Sequence, residues 1–321
     1  MNVSDCIVVG LGGNALNRRN EPFTLQHQRE RLTAAAAALI PALDGSPAVI
    51  THGNGPQIGA LAVRASRDAS LDEPLDVLGA ESDAMIGYEL ELALRSVAPS
   101  REIVMVLTAT EVDLRDRAFI APSKPIGPLY SAETARRWAD EHGWTMAPEP
   151  TAGNADADTG ANGRWRRVVP SPEPVCIVEL GAIARLIDAG VTVICAGGGG
   201  VPVVRGLDGE LHGVEAVVDK DLSSALLAIG VRARQFVLLT DVPGVMRGFG
   251  TAQATVIDHL TVSEARALDL APGSMGPKVE ACCRFAQATG RSAVIGSLDD
   301  VGNVMAGRSG TRIDRCRSVE S

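Results

Sequence analysis

Cys6-Ile-Val-Val-Gly10, continued by Leu11-Gly-Gly-Asn14, decides the fold class. A short apolar run that ends in glycines reads as a buried strand entering a tight loop, and a helical pattern follows over residues 25–42. The unit then recurs. Ala48-Val-Ile-Thr51 predicts a second strand, His52-Gly-Asn-Gly-Pro56 a second glycine loop, and residues 56–66 a helix. A long helix is predicted over 75–97 and a strand over 102–108. A strand at 191–196 enters Gly197-Gly-Gly-Gly200; a helix at 220–230 and a strand at 235–240 come next. Residues 277–290 predict a helix, 293–295 a strand and 299–306 a last helix. Strands alternating with helices call for an α/β fold, with a mainly parallel sheet covered on both faces and right-handed connections.

The rest of the chain bounds the function. It has 321 residues, 45% apolar and 21% charged, as ordinary globular proteins do. A net charge of −9 excludes a general nucleic-acid or membrane-surface binder, because no global positive field draws phosphates in. Any bound anion must be held by a few local groups. The longest apolar run, 32–43, is too short to span a bilayer and contains Pro41, and Met1-Asn-Val-Ser-Asp5 carries no basic segment of a signal peptide. Cysteines at 6, 176, 195, 282, 283 and 316 form no CxxC pair and no zinc spacing. They read as reduced, mostly packed thiols of a cytoplasmic protein.

Residues 114–167 break the rhythm. They are rich in Pro, Gly, Arg and acids, with a Trp-bearing helix near 131–142, and predict a small subdomain inserted into one domain spanning 1–321. Its 151–163 stretch predicts a loop. Asn154-x-Asp156-x-Asp158 begins like a calcium loop, but Thr159 and Trp165 stand where that loop needs Gly and Glu.

Glycine loops at the carboxyl ends of parallel strands are where α/β sheets hold ligands, and several together point to an anion. Gly10-x-Gly12-x-x-Ala15 fits the dinucleotide fingerprint, but no carboxylate ends the second strand, which finishes at Thr51-His52. No P-loop is present. Of the 30 basic residues, 27 are arginine; the three lysines are Lys124, Lys220 and Lys278. Where arginine serves as the default cation, a retained lysine marks a place that needs a compact point charge. Lys220 and Lys278 stand at predicted helix starts, where a cation opposes the helix dipole unless an anion lies beside it.

Leu11-Gly-Gly-Asn-Ala15, Thr51-His-Gly-Asn-Gly-Pro-Gln57, Ser123-Lys-Pro-Ile-Gly-Pro128 and Arg166-Arg-Val-Val-Pro-Ser-Pro172 form an ordered set. Gly197–Gly200 with Pro202, Gly213-Val-Glu-Ala-Val-Val-Asp-Lys-Asp221, Leu239-Thr-Asp-Val242 and Gly273-Ser-Met-Gly-Pro-Lys-Val-Glu-Ala281 complete it. The set, running from residue 7 to 313, resembles the carbamate kinases of the amino acid kinase superfamily. The resemblance implies a three-layer αβα sandwich with a protruding lid at 114–167, usually in a homodimer. It implies reversible phosphoryl transfer between ATP and carbamate, giving ADP and carbamoyl phosphate. Val-Pro-Gly after Asp241 departs from the family's usual acid or Asn with a nearby aromatic, and the 151–163 loop is longer than expected.

Carbamate is already an anionic oxygen nucleophile and needs no general base, so positioning and charge stabilisation should carry the reaction. Lys220 and Lys278 are assigned to the transferring charge, with Asp221 orienting them. Amides of Gly12, Gly13 and Asn14 are expected to face the phosphoryl group, and those of Gly53, Asn54 and Gly55 the carbamate carboxylate. Lys124 is expected to reach carbamoyl phosphate from the lid. Gly197, Gly198, Gly199, Gly200, Asp241, Met275 and Gly276 are expected to line the nucleotide site, with Mg²⁺ carried by the nucleotide and no protein metal cage. His52 reads as a strand-end packing or hydrogen-bonding residue, and Asp219 as a helix cap. An acyl phosphate favours making ATP, as in breakdown of carbamoyl phosphate derived from arginine or purines. The alternatives are a same-fold kinase of another small carboxylate and a non-catalytic nucleotide- or metabolite-binding regulator.

Overall fold

The computed structural model describes residues 5–13, 24–66, 73–148, 164–270 and 275–316. The strands in the first part of the chain are β1 (Ile7–Leu11), β2 (Ala48–His52), β3 (Ile103–Val106) and β4 (Ala109–Glu111). Next come β5 (Lys124–Tyr130), β6 (Met146–Pro148), β7 (Trp165–Val169), β8 (Cys176–Ile177) and β9 (Thr192–Cys195). They continue as β10 (Val201–Arg205), β11 (Leu211–Gly213), β12 (Gln235–Thr240), β13 (Met246–Arg247) and β14 (Thr255–Val256), ending with β15 (His259–Thr261), β16 (Ala293–Ser297) and β17 (Thr311–Asp314). The helices are α1 (Leu25–Ala42), α2 (Gly55–Ala65), α3 (Leu75–Val97), α4 (Ala132–His142) and α5 (Leu180–Asp188). They are followed by α6 (Lys220–Gly230), α7 (Val262–Arg266), α8 (Met275–Thr289) and α9 (Val301–Met305).

Eight strands form the main sheet, in the order β15-β17-β16-β12-β1-β2-β9-β3. All its pairs are parallel except β16 with β17. Side chains alternate across it with the period of two that a strand imposes. Val8, Phe236 and Leu238 point into one core, where Phe236 meets Phe285 of α8. Ile7, Val9, Val237 and Leu239 point into the other, which holds Leu32 and Leu39 of α1 and Ile86 and Leu90 of α3. Both faces are therefore covered, giving the αβα sandwich. Among the described residues no helix is long and apolar enough to cross a membrane.

Besides the two-stranded pairing of β13 with β14, two smaller sheets are additions to the sequence reading. One orders β11-β10-β4-β8; the other, within the predicted insert, orders β5-β7-β6 in antiparallel fashion. Strands carrying Pro, Gly or Arg, such as Lys124-Pro-Ile-Gly-Pro-Leu-Tyr130 and Trp165-Arg-Arg-Val-Val169, show little apolar alternation, which is why they escape pattern reading. α4 follows its Ser131 cap, which accepts from the Thr134 amide, and stops at Gly143 at φ +65°. Trp138 of this helix stacks on Trp144, and Arg167 lies 4.2 Å over the Trp144 ring. β5 lies against α2 through glycine: a side chain at Gly59 would collide with the backbone of Gly127. The 151–163 loop and Asn154–Asp158 fall outside the described residues.

Candidate active site

The loops after β1, β2 and β9 open side by side at the carboxyl end of the sheet, and the first two meet directly. A Cβ on Gly53 would lie 3.1 Å from the Gly13 nitrogen and 3.5 Å from Cε of Lys220, so these three approach closely and any side chain there would press on the Gly13 backbone. α2 begins here with no side-chain cap, because Asn54 instead donates to Ser82 Oγ at 2.8 Å. First-turn amides of a helix without a side-chain cap are free to meet an anion. Two expectations need correction. The Gly12 amide donates to the Leu239 carbonyl at 2.8 Å and the Gly53 amide to the Leu11 carbonyl at 3.2 Å. Each prolongs the ladder of its strand, so these glycines provide close approach rather than free donors. Asn14 lies outside the described residues.

Lys220 is the first residue of α6 and Lys278 lies in the first turn of α8, two helices packed together. Both ammonium groups reach one carboxylate. Asp221 accepts from Lys220 Nζ on Oδ1 and from Lys278 Nζ on Oδ2, the latter at 3.0 Å. The three side chains are 10%, 14% and 6% exposed for Lys220, Lys278 and Asp221, so water screens the cluster little. Burial pulls the Lys220 ammonium below the usual lysine range, against the attraction of Asp221. Lys278 is also disfavoured by burial, but Asp221 outweighs this and holds it above that range. Burial alone would raise Asp221; the two lysines keep it well below the usual carboxylate range.

Asp219 is the cap of α6, as expected, accepting from the amides of Asp221 and Leu222 at 2.9 and 3.3 Å. Its other oxygen accepts from Lys124 Nζ, which arrives from β5 of the insert. Three ammonium groups against two carboxylates leave the cluster one net positive charge.

Beneath these loops lies a buried brace. His52 Nε2 is 3.2 Å from Asp83 Oδ1, with both side chains essentially inaccessible. His52 is thus a buried packing residue in close contact with Asp83, and neither atom of that contact completes a hydrogen bond. A side chain at Gly197 would strike Asp83 and His52, and one at Gly198 would strike Asn54. Thr110 and Ser223 hydroxyls donate to the Gly199 carbonyl at 2.7 and 2.8 Å. The loop Gly197–Gly200 is therefore fully buried and packed beside the β2 loop, while β2 and β1 separate its strand β9 from β12. Sheet order, which glycine content does not reveal, thus sets this loop two strands away from the end of β12. Asp241, Met275 and Gly276 do gather, at the end of β12 and the start of α8. Asp241 accepts from the Thr240 hydroxyl at 3.1 Å, and its charge helps raise Lys278.

Ser82 and Asp83 are contributors that sequence reasoning missed. The signal was present: Ser82 stands four residues from Leu78 and from Ile86, at a core position of α3 that an apolar residue would otherwise fill.

A model of the Amino acid kinase family matches residues 5–297. The chain is 43% identical over 311 residues to the carbamate kinase of Haemophilus influenzae, covering 96% of each. Structures of the Giardia lamblia carbamate kinase bound to citric acid and to AMP-PNP superpose with TM-scores of 0.87 and 0.83 at 36% identity, over 98% of this chain and 99% of theirs. The chain therefore belongs to the amino acid kinase family and, within it, to the carbamate kinases, phosphotransferases with a carboxyl-group acceptor.

Proposed function

We propose that this carbamate kinase works mainly toward ATP, moving the phosphoryl group of carbamoyl phosphate to ADP. A terminal ADP oxygen attacks phosphorus, the bond from phosphorus to the carbamate oxygen breaks, and carbamate leaves as an anion. No proton moves in that step, which suits a site whose nearest histidine is buried against Asp83. Lys220 and Lys278 stabilise the oxygens of the transferring group, and Asp221 sets the spacing between them. The backbone of Gly13 faces the transferring phosphoryl group, and the start of α2, with Asn54 and Gly55, receives the carbamate carboxylate; Lys124 contacts carbamoyl phosphate from the insert, which acts as a lid. Asp241, Met275 and Gly276 line the nucleotide side. The observation that carries this reading is the shared carboxylate: two buried ammonium groups held on Asp221, one of them against Gly53.

The carboxylates within the cluster, Asp219 and Asp221, are bound to lysines and are poor candidates for a metal cage. That donor set suits Mg²⁺ held by nucleotide oxygens and water, where it would neutralise phosphate charge. The described residues offer one group of three metal-ligating side chains, Asp208, Glu210 and His212, all exposed and on the β10–β11 hairpin.

A homodimer is the proposed assembly. Met85, Tyr88 and Leu92 form an exposed apolar stripe on α3, with Tyr88 57% and Leu92 46% accessible. A cytoplasmic location fits the six free cysteines, four of them buried.

The deciding experiment is a coupled ATP-formation assay with carbamoyl phosphate and MgADP, run beside the reverse assay with carbamate and MgATP. Faster ATP formation supports the proposed direction. Turnover with acetylglutamate or glutamate instead would replace the substrate, and nucleotide binding without turnover would make the chain a regulator.

A further inference from the structure

Asp219 does more than cap α6. Its Oδ1 accepts the Asp221 and Leu222 amides, while its Oδ2 accepts the Lys124 ammonium. The two residues are 95 positions apart in sequence, and Lys124 is the first residue of β5. One carboxylate thus joins the insert to the turn that begins with Lys220. Asp219 is 7% exposed, whereas the Lys124 side chain remains 33% exposed and so keeps a solvent-facing side. An ammonium has three donors, so Lys124 can stay on Asp219 and still meet an incoming anion.

The geometry points to Asp219 as the positioning residue for Lys124, setting its ammonium over the catalytic helix before carbamoyl phosphate arrives. The inference rests on the assignment of Lys124 to carbamoyl phosphate made above. A free lysine side chain samples many rotamers and must be ordered on binding, at a cost in affinity. The ion pair removes most of that freedom in advance. Asp219 itself touches neither substrate nor the reacting atoms.

The sign of the effect separates this role from plain electrostatics. Removing a carboxylate beside an anion site would, by Coulomb's law alone, tighten anion binding. Positioning predicts the reverse. In the full-length enzyme, Asp219→Asn keeps an amide oxygen for the α6 cap and loses the charge that holds Lys124. It should raise the KM for carbamoyl phosphate about threefold, the scale on which a partly exposed ion pair favours one rotamer, and leave the KM for ADP unchanged. Asp219→Ser, which retains capping ability, should do the same, so the test survives if one variant folds badly. Asp219→Glu should recover part of the loss.

The cycle with Lys124→Ala is the decisive measurement. If Asp219 acts through Lys124, Asp219→Asn adds nothing further in the Lys124→Ala background. An equal effect in both backgrounds would make Asp219 a structural cap and overturn the inference, as would a lowered or unchanged KM in the otherwise native enzyme. A silent Lys124→Ala would overturn the assignment of Lys124 itself, and this inference with it.

Discussion

The site is assembled from two regions built on opposite plans. At the start of α6 and α8, Lys220 and Lys278 share one buried carboxylate, and both helices are fixed to the main sheet through the core of Phe236, Phe285 and Ala225. In the insert, Lys124 is tethered by one ion pair to Asp219 and by β5 lying on α2. The first arrangement holds charge with the rigidity of the core. The second delivers charge from a small sheet seated on α2 and α3 through a separate apolar cluster that includes Ile126 and Val169. Stabilising a transition state demands groups that do not move as charge develops, whereas admitting and releasing a substrate demands one that can.

The sharpest way to break this comparison is Asp221→Asn. It leaves two buried ammonium groups without their shared counter-charge, and loss of one member of such a buried arrangement costs about 3–5 kcal/mol. Thermal unfolding should show a large drop in Tm; a wild-type Tm would mean that the cluster is solvated and the distinction empty. Lys220→Arg keeps the charge but replaces a thin stem with a wide fork beside Gly53, and should lower kcat by roughly 10²–10³. Near-normal turnover would remove Lys220 from the catalytic groups.

Acid unfolding sharpens the contrast further. The folded-state pKa of Asp221 lies below its unfolded value, so its stabilisation is complete above the ordinary aspartate range, about 3.9. It is lost as pH falls below that value toward the folded one. Stability measured by urea unfolding from about pH 5 downward should fall with a slope that Asp221→Asn lacks. Equal slopes in the two proteins would show that the lysines do not depress this carboxyl. The smallest effect on stability should come from Lys124→Ala, within about 0.5–1 kcal/mol because the pair is partly exposed, while the KM for carbamoyl phosphate rises about tenfold. A Tm drop as large as that of Asp221→Asn would place Lys124 in the rigid region and erase the comparison.

Much of this was legible from residue order. The helices at 25–42, 75–97 and 220–230 and the strand at 235–240 coincide with α1, α3, α6 and β12, because long apolar periodicity and helix-start residues are local signals. The rarity of lysine directed attention to three positions that do converge. The Gly12 and Gly53 amides were misjudged because a glycine-rich string shows that backbone comes close to something, but not to what.

Sequence alone determined the layer order, the parallel sheet and the chemical inventory, because each depends on hydrophobic period or on residue type. Only the tertiary structure decided which groups meet. Strand order sets β9 beside β2 and away from β12, the buried His52–Asp83 pair joins α3 to that loop, and Asp219 takes a partner 95 residues away. Such pairings come from how elements pack in space, and no local pattern of side chains encodes them.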